Sequence, residues 1–511
     1  MVPKYVRLEM EGSRGVQRFE PQRNDTFLCS NIVRSSITPK MVIDMYDAML
    51  KNQFSDIVGE ERPNPIRAYQ MKDTARLQRG LAASSNLTEN QLLFWIGYKL
   101  QPNVPIETHA IRFAFTIEDA IDPDHFQRAL QKLVDRADSL RTVVREIDMV
   151  PMRQVAERLP FTVDYVRYSD EPDPDAAFRG WADVKLRTPL SSEAPFESAL
   201  IELGPRRFTW YLALHHVISD ARTVYLIAQH VSLYYQLSFD GKLETAPPLP
   251  TFEDYVTYDR AYRSSEAYRK AAAHWVRKLS DSPKARQSGT PMAPANRSGS
   301  PRQKLRTERL SHELRREQTS ALQELVRREV LISPAVPFLT MFFLTLAHIR
   351  GWTRPLTIGT PFLNRPDRFL GTIGLFVSTC PLVLRIDEKD SFLALARKIQ
   401  SEFIRASAHQ NYPVQNPVHG RIFEAFFNYL NVQFSSFAGR NMLIERLRSG
   451  YSNNSLSLSV RDFGASGRFT LDFEFQRQEF APEHQQEAIA YLLKLLDAFL
   501  DDPSQTVSSF L

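Results

Sequence analysis

Residues 206–221 read RRFTWYLALHHVISDA, and the fold turns on this stretch. Phe208, Trp210, Leu212 and Leu214 alternate with Thr209, Tyr211, Ala213 and His215 in an aromatic-rich run free of glycine and proline. That pattern predicts a strand buried on at least one face. It ends at His216. Val217, Ile218 and Ser219 then lead into ARTVYLIAQHVSLYYQL, a helical pattern whose first turn Ser219 or Asp220 can cap. A histidine pair therefore rides on a strand-to-helix corner. Because successive strand side chains face opposite sides, His215 and His216 cannot both enter one cavity. Two readings stay open from these residues alone: a buried pair satisfied by backbone groups, and a single imidazole doing acid/base work near neutral pH. A metal site fits worse, since the helical zinc signature sets histidines at i and i+4 with a third ligand, and no cysteine cluster accompanies this pair.

Around this corner lies a chain of 511 residues, long enough for two or three compact units of about 150 residues. Hydrophobic residues at 43% and charged residues at 24% place it among soluble globular proteins. The net charge of +5 and pI of 9.0 come from interspersed signs, without a basic block carrying aromatics, so no nucleic-acid binding is expected. A mildly positive surface suits an acidic protein partner. Cys29 and Cys380 stand far apart, which implies neither a disulfide framework nor a metal knuckle and suits a reducing cytoplasm. MVPKYVRLEMEGSRG lacks the apolar core of a signal peptide. Val330 to Ile349 is uncharged for about the length of a membrane span, but it holds Pro334, Pro337 and His348 and reads as a buried core helix, so no membrane partner is expected.

Residues 1–84 read as an appended α/β module: a hairpin around Gly12 to Gly15, a helix after Pro39 with Met41, Met45 and Met49 on one stripe, and a tether at Pro63-Asn64-Pro65. The alternative is a flexible tail with one amphipathic helix. Thr88-Glu89-Asn90-Gln91 is a capping box opening a helix. Strands are expected at HAIRFAFTIE, SLRTVVREI and PFTVDYVRY, with a helix from Pro123 between the first two. Thr251 to Leu279 reads as one helix bridging two halves, and Ser280 to Gln303 as an exposed loop rich in proline, serine and basic residues. The second half resumes with HELRREQTSALQELVRRE, the Val336 helix, strands LTIGTPF, IGLFVSTCPLVLRI, EAFFNYLNVQF, LSLSVRDFG and FTLDFEFQ, and a closing helix. The expected organisation is 1–84, then lobes at 85–265 and 266–511, each a mixture of helix and strand.

The corner resembles the central motif of nonribosomal peptide synthetase condensation domains, relatives of chloramphenicol acetyltransferase: two histidines, three variable residues, an aspartate and a glycine, the glycine here being Ala221. Further segments resembling the family follow in order: Gln91 and Trp95, Ser139 to Thr142, Phe252 to Tyr258 with Trp275, Gly359 to Arg365, Ile373 to Thr379, His409 to Pro413, and Phe427-Asn428-Tyr429. Together they cover about residues 85–505. The resemblance implies an α+β, or α/β, fold of two chloramphenicol-acetyltransferase-like lobes in a V, with a central tunnel and His216 at its middle. It implies catalysis by His216, a structural pairing of Asp220 with Arg365, a packing role for His215, and Arg141, Ala221, Ser378 and Asn428 as tunnel-lining residues. Ser378 stands where the family carries asparagine. Relatives that cyclise replace the histidines with aspartates and those that epimerise add an acidic motif, and neither change is found here.

The implied function is that of a free-standing enzyme moving an acyl chain from a carrier-protein thioester to an alcohol or amine, with ester formation favoured, as in polyketide chain release of the enacyloxin type. No directly bound cofactor and no metal are expected; the phosphopantetheine of an acyl or peptidyl carrier protein serves as the substrate arm. The carrier acts in trans through the docking module at 1–84, and the acceptor is a small molecule or is itself carrier-bound. Two other classes are a non-catalytic recruitment platform and an acyl-CoA-dependent small-molecule acyltransferase.

Overall fold

The computed structural model describes residues 84–511, apart from 101–109, 149, 191–194, 281–302, 304, 352, 415–421, 424, 431–435 and 462–466. The hairpin, helix and tether expected within 1–84, and most of the 280–303 loop, lie outside the described residues. In chain order the elements run α1 (Glu89–Leu100), β1 (Ala110–Ile117), α2 (Pro123–Arg136), β2 (Thr142–Ile147), β3 (Val150–Val155), β4 (Asp164–Arg167), α3 (Pro174–Arg187), β5 (Phe196–Gly204), β6 (Arg207–His215) and α4 (Ala221–Phe239). Then come α5 (Phe252–Arg263), α6 (Glu266–Ser280), β7 (Thr307–Glu313), α7 (Arg316–Arg328), α8 (Ala335–Arg350), β8 (Leu356–Phe362), β9 (Ser378–Leu384) and α9 (Phe392–Ser407). The chain closes with β10 (Ala425–Leu430), β11 (Met442–Leu447), β12 (Leu456–Arg461), β13 (Thr470–Gln476) and α10 (Pro482–Asp501).

These strands form a five-stranded sheet in the order β11-β1-β6-β5-β4, a six-stranded sheet in the order β7-β13-β12-β10-β8-β9, and the hairpin β2-β3. β11, from the second half of the chain, completes the first sheet by pairing antiparallel with β1, Phe113 opposite Arg446. In that sheet one face packs Ala114, Ile201 and Tyr211 against Phe178 and Ala182 of α3. The opposite face stacks Trp210 on Phe115 and sets it edge-to-face with Phe126 of α2. Both faces are thus apolar, and β6 is buried along nearly its whole length.

The second sheet is one-sided. Leu456, Leu458, Val460, Leu471, Phe473 and Phe475 join a core organised around α8, which is buried from Ala335 to Ala347. An all-apolar helix needs neighbours on every side, and α9 and α10 pack against it. The alternating residues point the other way. Register sets Ser311 opposite Asp472, Asp472 opposite Ser459 and Ser459 opposite Asn428, a polar rung running across four strands. Arg309, Glu474 and Ser457 form the next rung.

Several expected elements change on inspection. The single helix at 251–279 is two, because Ser264 caps α5 and the Ser265 amide closes a turn onto the Tyr262 carbonyl. SLRTVVREI starts as a 3-10 turn, Asp138–Arg141, before β2. The run IGLFVSTCPLVLRI forms strand only from Ser378, since the amides of Phe376 and Val377 are committed to the Asp220 carboxylate. His312 and Glu313, read as the start of a helix, end β7 instead.

Candidate active site

The predicted strand stops where expected. β6 ends at His215 and His216–Ile218 form one 3-10 turn before α4. His215 is buried; its Nδ1 accepts the Val217 amide at 3.1 Å and its carbonyl accepts the Ser219 hydroxyl at 3.0 Å. His216 turns away and is half-buried, its ring stacked on Phe94 with centroids 5.0 Å apart. Its Nδ1 lies 3.4 Å from the Ser219 carbonyl oxygen, a contact that favours the tautomer with the proton on Nδ1. The two neighbours thus divide, His215 buried and His216 only half-buried.

Asp220 anchors the corner. Its Oδ1 accepts the Thr223 amide at 2.8 Å, which caps α4, while Arg365 Nη2 donates to both carboxylate oxygens at 2.8 and 3.0 Å. The Phe376 and Val377 amides add 3.0 and 3.3 Å bonds to Oδ2. Both side chains are almost sealed from solvent, at 0% and 2% exposure. Arg365 also donates to the carbonyls of Thr372 and Gly374 and lies 3.9 Å from the Phe376 ring centroid. A buried pair holds when most of its remaining valences are filled, and these contacts fill all but the Arg365 Nε, which has no hydrogen-bond partner among the described residues. Removing one partner of such a pair costs about 3–5 kcal/mol.

Three further residues support the corner and had no clear local signal. Thr223 Oγ1 donates to the Gly374 carbonyl and accepts from the Gly374 amide. A Cβ on Gly374 would meet the Phe252 ring at 2.1 Å, so only glycine lets the segment pass. Asn364 adopts φ 50°, the left-handed region that asparagine tolerates, and its amide donates to the Phe376 carbonyl at 2.9 Å. The capping box is present, with Thr88 and Gln91 exchanging 3.2 and 3.3 Å bonds. The same Gln91 donates to the Val217 carbonyl at 2.8 Å, and Asn90 to the Phe376 carbonyl at 2.8 Å. One helix start therefore clamps both sides of the corner.

Beside it, Glu89 and Asp259 share Arg263, and the Tyr268 hydroxyl donates to Glu89 at 2.9 Å. Burial outweighs the arginine and pushes the Glu89 carboxyl up to about 7.

The tunnel-lining expectations divide. Ala221 is exposed and lines a cavity of about 420 Å³, within the range of small-molecule sites. Asn428 is half-buried on the polar face of the second sheet, two residues from the cavity-lining Leu430. Arg141 is spent elsewhere: its guanidinium donates to the carbonyls of Val134, Ala156 and Glu157 and ties the end of α2 to the residues after β3. Ser378 falls on the side of β9 shared with Cys380 and Leu382, which belong to the core. Alternation along β9 thus turns it away from the polar face. Burial pushes the Cys380 thiol up to about 12, so it is no nucleophile. Among the described residues no group of three histidine, cysteine or acidic side chains could hold a metal, and no helix is long and apolar enough to cross a membrane.

A two-sheet fold with a histidine pair at a strand-to-helix corner is of the chloramphenicol-acetyltransferase-like type. The sequence model of the Condensation domain matches residues 86–511, and the chain belongs to that family. Surfactin synthase subunit 1 of Bacillus subtilis is 22% identical over 82% of this chain and 12% of its own length. Phosphinothricin tripeptide synthetase PhsB of Streptomyces viridochromogenes is 25% identical over 82% of this chain and 36% of its own. The chain thus spans only a minor part of such relatives. Among solved structures, a mutant starter condensation domain of rhizomide synthetase RzmA in complex with C8-CoA superposes with a TM-score of 0.71 at 21% identity, covering 83% of this chain and 96% of that one. The first condensation domain of the calcium-dependent antibiotic synthetase, in complex with a substrate analogue, gives 0.70 at 20% identity over 83% and 97%. Condensation domains act on substrates carried by phosphopantetheine and need no bound cofactor.

Proposed function

We propose that this chain moves an acyl group from a carrier-protein phosphopantetheine thioester to an alcohol or amine. Nε2 of His216 takes the acceptor's proton as its oxygen or nitrogen attacks the thioester carbonyl; the carbon–sulfur bond breaks, and the imidazolium returns the proton to the departing thiolate. The observation that carries this reading is the half-buried His216 on an otherwise buried corner, whose following helix begins with the cavity-lining Ala221. Asp220 and Arg365 hold the corner in shape, and His215 packs beneath it. Ester formation, chain release and an acyl or peptidyl carrier protein acting in trans belong to the same proposal, as do lobes at 85–265 and 266–511 and a docking role for residues 1–84.

The test is transfer from an acyl-loaded carrier protein to a panel of alcohols and amines, with products identified by mass. His216→Ala is expected to reduce transfer to background; equal rates would sink the assignment. Deleting residues 1–80 is expected to weaken use of the cognate carrier while sparing a small thioester surrogate, and equal loss with both would assign the segment to folding. A second reading, an acyl-CoA donor, draws on the RzmA domain seen in complex with C8-CoA. Transfer from acyl-CoA matching the rate from carrier protein would favour it.

A further inference from the structure

The cavity beside Ala221 is built from both sheets and is unusually cationic. Phe113 and Arg446 reach it from β1 and β11, while Arg309, Arg461 and Asp472 come from the polar face of the second sheet and Arg448 follows β11. Most of that charge is matched within the protein. Arg309 and Arg461 share the one Asp472 carboxylate, at 2.6 and 2.7 Å, and Ser311 donates to its other oxygen. Arg448 pairs with Glu474. Two arginines on one carboxylate already leave the site with surplus positive charge.

Arg446 adds to the surplus. Its guanidinium makes no hydrogen bond or ion pair to any described residue, although it sits on the face of β11 shared with Phe113. By surface area it keeps partial access to solvent, yet protein surrounds it closely enough that burial first, and Arg448 next, pull it down to about 10. The acidic residues that act on it, Glu474 and Asp472 across the cavity, do not offset this, and Glu445, its strand neighbour, also lines the cavity. An arginine held among arginines, without an anion of its own, is costly unless a ligand supplies one.

We propose that the cavity is a subsite for a carboxylate on the acceptor, with Arg446 as the cation that receives it. A planar guanidinium matches a carboxylate with two parallel bonds, and the Arg309–Asp472–Arg461 cluster supplies the surrounding positive field. Ala221 joins the cavity to the catalytic corner, so an acceptor seated there presents its hydroxyl or amine towards His216 while its acid end rests on the arginines. The word acceptor rests on the acyl-transfer reading above; the anion site does not.

Isothermal titration of the full chain with 4-hydroxybutyrate, 6-hydroxyhexanoate and 4-hydroxybenzoate, each beside its own carboxamide, requires no turnover. At least one acid is expected to bind about tenfold more tightly than its carboxamide, which one charge-assisted contact supports. Binding should weaken with added salt. Arg446→Gln should erase the difference and Arg446→Lys retain part of it, with circular dichroism showing that both variants fold. Equal binding of acid and carboxamide across the panel, no binding by any acid, or an acid preference that survives Arg446→Gln would overturn the proposal. The same pairs then serve as acceptors with an acyl-loaded carrier, where the acid is expected to show about tenfold higher kcat/KM through KM, a ratio that Arg446→Gln compresses towards one. Acid-selective binding without any transfer would overturn the acyl-transfer reading and leave the subsite standing. Transfer without acid selectivity would do the reverse.

Discussion

Asp220 and Ala221 are neighbours in sequence, yet they belong to regions that treat charge in opposite ways. At Asp220 one carboxylate meets one guanidinium, and backbone amides, a hydroxyl and carbonyls take up the other valences except that of Arg365 Nε. In the cavity lined by Ala221, two arginines divide one carboxylate and a third has none among the described residues. A charge matched one-for-one fixes the backbone around it. A charge in surplus remains available to a ligand. The polar junction at α1 is the mirror image of the cavity, since there two carboxylates, Glu89 and Asp259, divide one arginine.

Four substitutions test this contrast. His216→Ala should lower the transfer rate about 10²–10⁴-fold, the scale of general base catalysis, with the thermal midpoint unchanged; a matching fall in stability would make His216 part of the frame. Arg365→Ala should cost about 3–5 kcal/mol in denaturant titrations because it strands Asp220, and a variant of wild-type stability would mean the corner does not depend on the match. Glu89→Gln should be stabilising by about 2 kcal/mol at neutral pH. Burial raises the folded-state pKa of Glu89 above its unfolded value, so the penalty is absent below about pH 4.5, grows as pH rises through the window to about 7, and is constant beyond it. Melting curves from pH 4.5 to 8 should therefore slope less for the variant; parallel curves would discard the assignment. Arg446→Gln should have the smallest effect, within about 1 kcal/mol or a slight gain, since it relieves an unmatched charge. A large loss would show that Arg446 stabilises the fold after all.

Much of this was legible in the chain and some was not. The histidine corner, the Thr88 capping box and the buried Val336 helix are local patterns, and local patterns survive folding. Asp220 and Arg365 are separated by 145 positions, so their pairing followed only from resemblance. MLIERL carries Glu445 and Arg446 in a half-exposed edge strand, which blurs the alternation that would mark it. The cavity arginines are spread over three strands and the residue after β11, and only register brings them together. Motif position points Arg141 and Ser378 to the tunnel, but a motif fixes where a residue lies along the chain and not where its side chain is spent.

The exchanged strand β11 also sets an order of events during synthesis. β6 can close on one edge of β1 early, but the other edge waits for residues 442–447, after most of the second sheet has left the ribosome. Until then β1 presents unpaired amides and carbonyls, the kind of edge on which chains aggregate. Splitting the gene between the sheets should therefore yield an insoluble first fragment, and supplying the β11 segment as a separate peptide during refolding should restore its solubility.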